Sequence, residues 1–399
     1  MKIEKPILIK IIFIVIFFLV TFIAEFIYRK PLFNNSVQIA HKIQDSLPFL
    51  IRPFDYFTNI GKVDYILIEI VLFFFPISYS YTFFLTVVLS WHFGGIIKII
   101  YGDGRPFYMD SSVKKFQVSG ASGYGNPSGH SIRSSSNYVA LVQIIIDLWK
   151  LNKKSILIII YVSIAILVIL INFSRVILGA HSINQVIYGD TLGFTQYFVI
   201  YKIIKPHLRK PDVFFERFLS LKYHIINWIV LLIVTLYSII ISVVFDKHRN
   251  NQVDSKYISS AIDTSLSFTS YYGMIYGMTA LAHIIKKKFY SNYESANYFY
   301  RNPKSKKIIN YGVRIILIFI CFLPYYIHFT KISIEEQIYI DISGYALPMF
   351  IYGFLSFGFY YIMNIILQIS NKDIYIPHIE DKLNGSDYNV NNSEDFNID

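Results

Sequence analysis

The sequence predicts an all-α, polytopic helical membrane protein, and three observations lead to this fold class. Apolar and aromatic residues make up 54% of the 399 residues and charged residues only 16%, which leaves too little polar surface to cover a soluble enzyme. The 35 Phe and 33 Tyr exclude a disordered chain and suit a bilayer, where amphipathic rings lie at headgroup level. Apolar stretches also recur along the chain at about the 20 residues that a spanning helix needs.

About ten of these stretches are predicted to be transmembrane helices. The first is expected to remain as an anchor, because it is too long for a removed signal peptide and lacks a small-residue cleavage site. The second and third are joined by a predicted tight turn near Pro76, and a single bent insertion in their place stays open. In chain order the predicted spans are 11–28, 60–78, 80–97, 134–149, 156–173, 185–204, 225–245, 264–285, 308–330 and 342–370.

The predicted organisation has four parts. Residues 1–59 hold the first span and a loop in which 37–50 form either an interfacial helix or an ordinary connection. Residues 60–205 form a helix-bundle core, residues 206–370 add further spans, and the polar, acidic residues 371–399 are predicted to be a disordered tail.

Charge and cysteine content exclude other classes. The net charge of +11 falls mostly in short loops between apolar stretches, a pattern typical of membrane topology, so we expect no nucleic-acid partner. The single cysteine, Cys321, excludes an intrachain disulfide and a multi-cysteine metal site.

Three polar clusters interrupt the apolar pattern. In the first, Lys98 and Arg105 flank a Gly-rich turn at the end of a predicted span. The second runs from Gly125 to Ser131 and contains Pro-Ser-Gly-His at 127–130, and the third runs from Ser174 to Gln185 and joins two spans. The chain crosses the membrane once out and once back between the second and third clusters, so all three are predicted to face one aqueous compartment and to converge.

Together these residue types suit a tetrahedral phosphate. Guanidinium groups match phosphate oxygens, so Lys98, Arg105 and Arg175 are candidate phosphate-binding residues. Ser128 and Gly129 lie in the turn before a helix that is predicted to begin near Ile132. They are candidate phosphate-binding residues, because the backbone N–H groups at the start of a helix favour an anion.

Two imidazoles, His130 and His181, can then supply a nucleophile and a proton donor. No metal or other cofactor is expected, because the cations already neutralise the charge of the transition state. Each cluster alone has a structural interpretation, as topology-setting charges or as a helix cap, and it is their combination that favours catalysis.

The clusters resemble the signature of the type 2 phosphatidate phosphatase superfamily, which includes glucose-6-phosphatases, dolichyl diphosphatases and vanadium haloperoxidases. That signature is Lys-x6-Arg-Pro, then Pro-Ser-Gly-His, then Ser-Arg-x5-His-x3-Asp, and the resemblance covers about residues 60–205. It implies a phosphatase core with His181 as nucleophile and His130 as general acid. The implied phosphate-binding residues are Lys98, Arg105, Ser128, Gly129 and Arg175.

Gln185 departs from the commonest pattern, which has Asp four residues after the nucleophile. At this spacing on a helix it lies on the face of His181, so its carbonyl oxygen can accept the Nδ1–H bond and orient the ring. It brings no charge to stabilise an imidazolium. The glucose-6-phosphatase and dolichyl diphosphatase branches are similar in carrying Gln at this position. The chain resembles the glucose-6-phosphatase branch in three features: Gln185, Phe107 after Arg-Pro, and the ten-span count.

The excess of Lys and Arg in the opposite loops predicts a catalytic face toward the lumen or exterior. The expected location is the endoplasmic reticulum, another endomembrane or the plasma membrane. The expected partners are membrane lipids and a phosphorylated substrate. Three functions stay open: hydrolysis of a lipid phosphomonoester or diphosphate, hydrolysis of a soluble sugar phosphate, and a non-catalytic transporter or scaffold with the same fold. Oligomeric state is not predicted.

Overall fold

A computed structural model describes residues 5–61, 77–116 and 124–204, together with isolated positions at 67, 71, 222, 225, 226, 229 and 233. Within these ranges every regular element is helical and none is a strand. The elements are α1 (Lys5–Ser46), a short 3-10 turn (Pro48–Leu50), α2 (Ile51–Ile60), α3 (Ile77–Tyr101), α4 (Pro106–Met109), α5 (Gly129–Arg133), a π-helical segment (Ser134–Tyr138), α6 (Val139–Trp149), α7 (Lys154–Ile177), α8 (Ile183–Phe198) and a second π-helical segment (Val199–Ile204).

Two of these helices are long and apolar enough to cross a membrane, Ile12–Ser46 within α1 and α7. The predicted spans 80–97, 134–149 and 185–204 also fall on helices, of which α3 contains a shorter apolar stretch, Thr82–Gly95. The prediction of about ten spans stays a prediction, because most of 60–78 and nearly all of the four spans after residue 222 lie outside the described residues. The predicted acidic tail lies outside them as well.

The first span and residues 37–46 form one continuous helix, so the prediction of a separate interfacial helix or loop is wrong. The 42 residues of α1 extend about 63 Å, roughly twice the thickness of the hydrocarbon. Tertiary contacts hold the second half in place despite Pro31: the Ser36 hydroxyl accepts a hydrogen bond from the Ile183 N–H at 2.7 Å. The Gln44 amide donates to the Ile177 carbonyl at 3.0 Å.

Helix α8 lies against α1, α3, α5 and the first π-helical segment. Gly189 and Gly193 permit this close packing: a Cβ at Gly189 would lie 2.7 Å from the Ser128 carbonyl oxygen, and one at Gly193 would lie 2.5 Å from the Ile132 carbonyl oxygen. Small residues four apart therefore seat α8 directly on the start of α5. Helix α1 lies within residues 1–59 but packs against α8, which lies within residues 60–205, so contacts cross the predicted boundary between these two parts. The four-part division itself stays a prediction.

Candidate active site

The first cluster surrounds the end of α3. Lys98 lies in the last turn of α3, and Arg105 lies immediately before α4 with a side chain only 3% exposed. The Arg105 guanidinium donates to the carbonyl oxygens of Ala180 at 2.9 Å and Tyr124 at 3.2 Å. These contacts fix the guanidinium between the second and third clusters.

The second cluster is the start of α5. This helix begins at Gly129, three residues before the predicted start near Ile132, because the Ser128 hydroxyl caps it by accepting from the Ser131 N–H at 3.4 Å. A Cβ at Gly129 would lie 3.5 Å from the Lys98 Nζ, so the ammonium group lies directly beside this glycine. The backbone N–H of Ser128 also donates to the backbone carbonyl of Gln185 at 2.9 Å.

The third cluster connects α7 to α8. Arg175 lies in the last turn of α7, and its carbonyl oxygen accepts from the N–H groups of Ala180 at 3.0 Å and His181 at 3.1 Å. Gly179 turns the chain with φ of 65°, a left-handed conformation that favours glycine. The fully buried Arg175 side chain donates to the Thr58 hydroxyl at 2.9 Å, which fixes the guanidinium from the side of α2.

The contacts of the His181 ring assign its tautomer. Nε2 lies 2.8 Å from the Arg105 guanidinium, which can only donate, so Nε2 carries a lone pair. Nδ1 lies 2.8 Å from the Gly125 carbonyl oxygen and 3.2 Å from the Gln185 Oε1, both acceptors, so Nδ1 carries the proton. His181 is therefore a neutral imidazole with its lone pair directed at the cationic residues.

The Gln185 amide is itself oriented. Its Oε1 accepts from the Ser182 N–H at 3.2 Å, and its Nε2 donates to the Gly104 carbonyl at 2.9 Å. The contact that the spacing predicts between Gln185 and His181 is thus present in the structure.

Electrostatics keep His181 neutral. Burial, followed by the charges of Arg105, Arg175 and Lys98, lowers the pKa of His181 well below its usual value. The ring is only 1% exposed. An imidazole in this state is a nucleophile at neutral pH, since its lone pair is not taken up by a proton.

The same cations repel one another. Lys98 lies within electrostatic range of Arg105, Arg133 and Arg175, and Arg175 lies within range of Arg105. Such a cluster of positive charges around one imidazole suits a dianionic phosphate, which relieves the repulsion when it binds.

His130 lies beside Arg133, whereas His181 lies beside Arg105. The Arg133 guanidinium lies 3.3 Å from the Nδ1 of His130, and its Nε donates to the Gly129 carbonyl at 3.0 Å. Arg133 also lies over the Trp91 ring, 4.3 Å from the centroid. Because the guanidinium only donates, Nδ1 of His130 accepts, and the proton of the neutral ring lies on Nε2.

The structure brings all the predicted site residues into one region at the junction of α3, α5, α7 and α8. They are Lys98, Arg105, Ser128, Gly129, His130, Arg175, His181 and Gln185. Their catalytic roles stay predictions.

Sequence reasoning missed Thr58, Arg133 and the Gly125 carbonyl group. Arg133 had a signal, because a residue three positions after His130 on a helix lies on the same face. Thr58 had none, since its partner Arg175 is 117 positions away.

Among the described residues, no group of three His, Cys, Asp or Glu side chains is placed to hold a metal ion. Independence from metals stays a prediction.

Comparison with known proteins gives one match. The family model of the PAP2 superfamily matches residues 75–209, which include every predicted site residue but neither α1 nor Thr58. No curated protein and no solved structure matches the chain. The match supports a phosphoric ester hydrolase, and it does not distinguish the glucose-6-phosphatase branch. Over residues 75–209 the chain is therefore similar to the PAP2 superfamily, that of the type 2 phosphatidate phosphatases and haloperoxidases.

Proposed function

We propose that the protein is a metal-independent membrane phosphatase that hydrolyses a lipid phosphomonoester or diphosphate through a phosphohistidine intermediate. The observation that carries the proposal is the pair of contacts on His181, with Arg105 at Nε2 and the Gly125 carbonyl at Nδ1. These contacts present a lone pair to the same cations that suit a phosphate. The family match supports the reaction class.

In the first step the Nε2 of His181 attacks phosphorus. The bond from phosphorus to the ester oxygen breaks, and its electron pair goes to that oxygen. His130, which has taken up a second proton at Nδ1 and is an imidazolium in this step, donates its Nε2 proton to the oxygen and is left as the neutral ring. Lys98, Arg105 and Arg175 stabilise the charge on the oxygens of the transferring group. The product alcohol, or the shortened phosphate ester, then leaves.

In the second step water replaces the histidine. His130 accepts a proton from the water, the water oxygen bonds to phosphorus, and the phosphorus–nitrogen bond breaks with its electron pair returning to Nε2 of His181. Inorganic phosphate and the starting form of both rings result.

The position of the cations favours a lipid substrate. Arg175 lies in the last turn of the 24-residue apolar helix α7, and Lys98 lies in the last turn of the mainly apolar α3. Phosphate-binding groups at the ends of apolar helices lie at the depth of lipid headgroups. The distribution of Lys and Arg supports a site on the luminal or exterior side.

A substrate panel tests the proposal. The purified protein in detergent is assayed for phosphate release from phosphatidate, a sphingoid phosphate, a polyprenyl diphosphate and glucose 6-phosphate, with the His181→Ala variant as control. We expect release from a lipid substrate without added divalent metal and inhibition by vanadate, which mimics the trigonal-bipyramidal transition state.

Three results would contradict the proposal. Preference for glucose 6-phosphate would favour the sugar phosphate alternative, and loss of activity in EDTA would refute metal independence. No turnover of any substrate, with no vanadate binding, would favour a transporter or scaffold.

A further inference from the structure

Glu25 is a fully buried carboxylate on α1, inside the apolar stretch Ile12–Ser46. Its Oε1 accepts hydrogen bonds from the Asn126 amide at 2.8 Å and from the Asn184 amide at 3.2 Å. The Asn126 amide nitrogen also donates to the Asp103 Oδ2 at 2.9 Å, so both of its protons have acceptors. We call Glu25, Asp103, Asn126 and Asn184 the Glu25 network.

Each of the other three residues in the Glu25 network lies beside one of the three site clusters. Asp103 lies two residues before Arg105, and Asn126 lies two residues before Ser128. Asn184 lies directly before Gln185. One carboxylate on α1 is therefore connected, directly or through Asn126, to the backbone that carries all three clusters.

A second residue of α1 supports the same connection. The Arg29 guanidinium forms a salt bridge with Asp103 and lies 5.1 Å from the centroid of the Tyr101 ring. Arg29 is one helical turn after Glu25, so both act from one face of α1. This face lies outside the matched segment 75–209.

We propose that Glu25 is a positioning residue for phosphoryl transfer, which holds the three site clusters in register from a helix outside the family segment. The proposal rests on the proposed function of the site. A buried acceptor shared by two amides is costly to remove, because both donors lose their partner in an environment without water. Its loss therefore displaces the clusters relative to one another and weakens binding of the transition state.

The test compares Glu25→Ala and Glu25→Gln with Asp45→Asn. Asp45 is a matched control, because it is a carboxylate on the same helix whose partner, the exposed Lys114 ammonium at 2.9 Å, lies outside the Glu25 network. For each full-length variant in detergent, we would measure kcat and KM for p-nitrophenyl phosphate, the inhibition constants for vanadate and inorganic phosphate, and the melting temperature.

We expect Glu25→Ala to lower kcat/KM and vanadate affinity in parallel, by about tenfold to a hundredfold, as for loss of a buried charged acceptor. Affinity for inorganic phosphate should change less, because phosphate lacks the geometry of the transition state. Glu25→Gln keeps one acceptor oxygen and should recover most of the loss, and Asp45→Asn should match the wild type.

Several outcomes would overturn the proposal. A change in melting temperature alone, with unaltered vanadate affinity, would make Glu25 purely structural. An equal loss in Asp45→Asn would also refute it. If Glu25→Ala does not fold, Asn184→Ala replaces it, and vanadate affinity equal to the wild type would then count against the network. Inactivity of the wild type itself would instead refute the proposed function.

Discussion

His181 and His130 each lie beside a guanidinium group, but the contact is at opposite ring nitrogens. Arg105 lies 2.8 Å from the Nε2 of His181, whereas Arg133 lies 3.3 Å from the Nδ1 of His130. A guanidinium only donates, so the lone pair is on Nε2 in His181 and on Nδ1 in His130. The two rings are therefore held as opposite tautomers.

In the proposed mechanism, this difference gives the two histidines different roles in the same site. In this mechanism, the lone pair on Nε2 suits His181 to attack phosphorus, and the proton on Nε2 suits His130 to donate to the leaving oxygen. Neither role follows from the imidazole alone. In this proposal, the position of one arginine relative to each ring decides which role the ring takes.

The largest expected effect comes from His181→Ala. Removing the nucleophile should lower kcat by about ten-thousandfold or more and abolish the trapped phosphoenzyme as well. Rapid alkaline quench after reaction with labelled substrate measures both quantities, because the phosphorus–nitrogen bond is stable in alkali. A labelled phosphoprotein of normal yield in this variant would place the nucleophile elsewhere.

His130→Ala should reduce turnover of a lipid phosphate by about a hundredfold to ten-thousandfold, the usual contribution of a general acid. It should still form phosphoenzyme from p-nitrophenyl phosphate, because nitrophenolate leaves without a proton. The comparison of the two substrates in single-turnover experiments checks the assignment. Equal losses for both substrates would contradict a role in leaving-group protonation.

Arg133→Met tests whether the guanidinium beside His130 determines the tautomer of that ring. Without the guanidinium, the ring proton of His130 is no longer confined to Nε2, so we expect about a tenfold loss with a lipid phosphate, as for one charged hydrogen bond. The loss with p-nitrophenyl phosphate should be smaller, and vanadate affinity should stay close to that of the wild type. A uniform loss across all three measurements would instead assign Arg133 to phosphate binding.

The smallest predicted effect is a shift in pH dependence. Burial and the nearby cations lower the pKa of His181, so its nucleophilic form is lost only as the pH falls through a value below its usual 6.5 or so. Gln185→Glu places a carboxylate near the Nδ1 proton, which raises the pKa of His181 and moves the acid limb of kcat/KM to higher pH. The ratio of variant to wild-type kcat/KM between pH 5 and pH 8, in which titration of the substrate cancels, measures the shift. An unchanged ratio across this range would show that the Gln185 contact does not affect His181.

The lowered pKa of His181 also affects stability, and the sign is fixed by proton uptake. The unfolded chain binds a proton at His181 as the pH falls below about 6.5, while the folded chain does not. The free energy of unfolding should therefore decrease as the pH falls through this range, and denaturant titrations measure it. His181→Gln should weaken this dependence.

Much of the site was predictable because its residues act through local spacing. The four-residue interval from His181 to Gln185 predicts their contact on a helix, and the structure has it. The convergence of the three clusters followed from counting membrane crossings between them. The helical fold class was predictable where predicted spans fall on described helices, because their apolar length predicts a helix.

What sequence did not reveal depends on contacts between distant residues. Glu25 is 101 positions from Asn126, and Thr58 is 117 positions from Arg175. The continuity of α1 was missed for the same reason, because contacts of Ser36 and Gln44 with distant residues hold its second half. An ionisable residue inside a predicted span was the one available signal for Glu25.

The most direct test of the account is the chemical position of the phosphoryl group. The phosphoenzyme formed by His130→Ala from p-nitrophenyl phosphate is denatured in alkali, and its ³¹P NMR spectrum distinguishes phosphate on Nε2 from phosphate on Nδ1. Peptide mapping then identifies the residue. We predict a single phosphohistidine, at Nε2 of His181. Phosphate at Nδ1, on another residue, or in no trapped form at all would contradict the assignment of the two histidines.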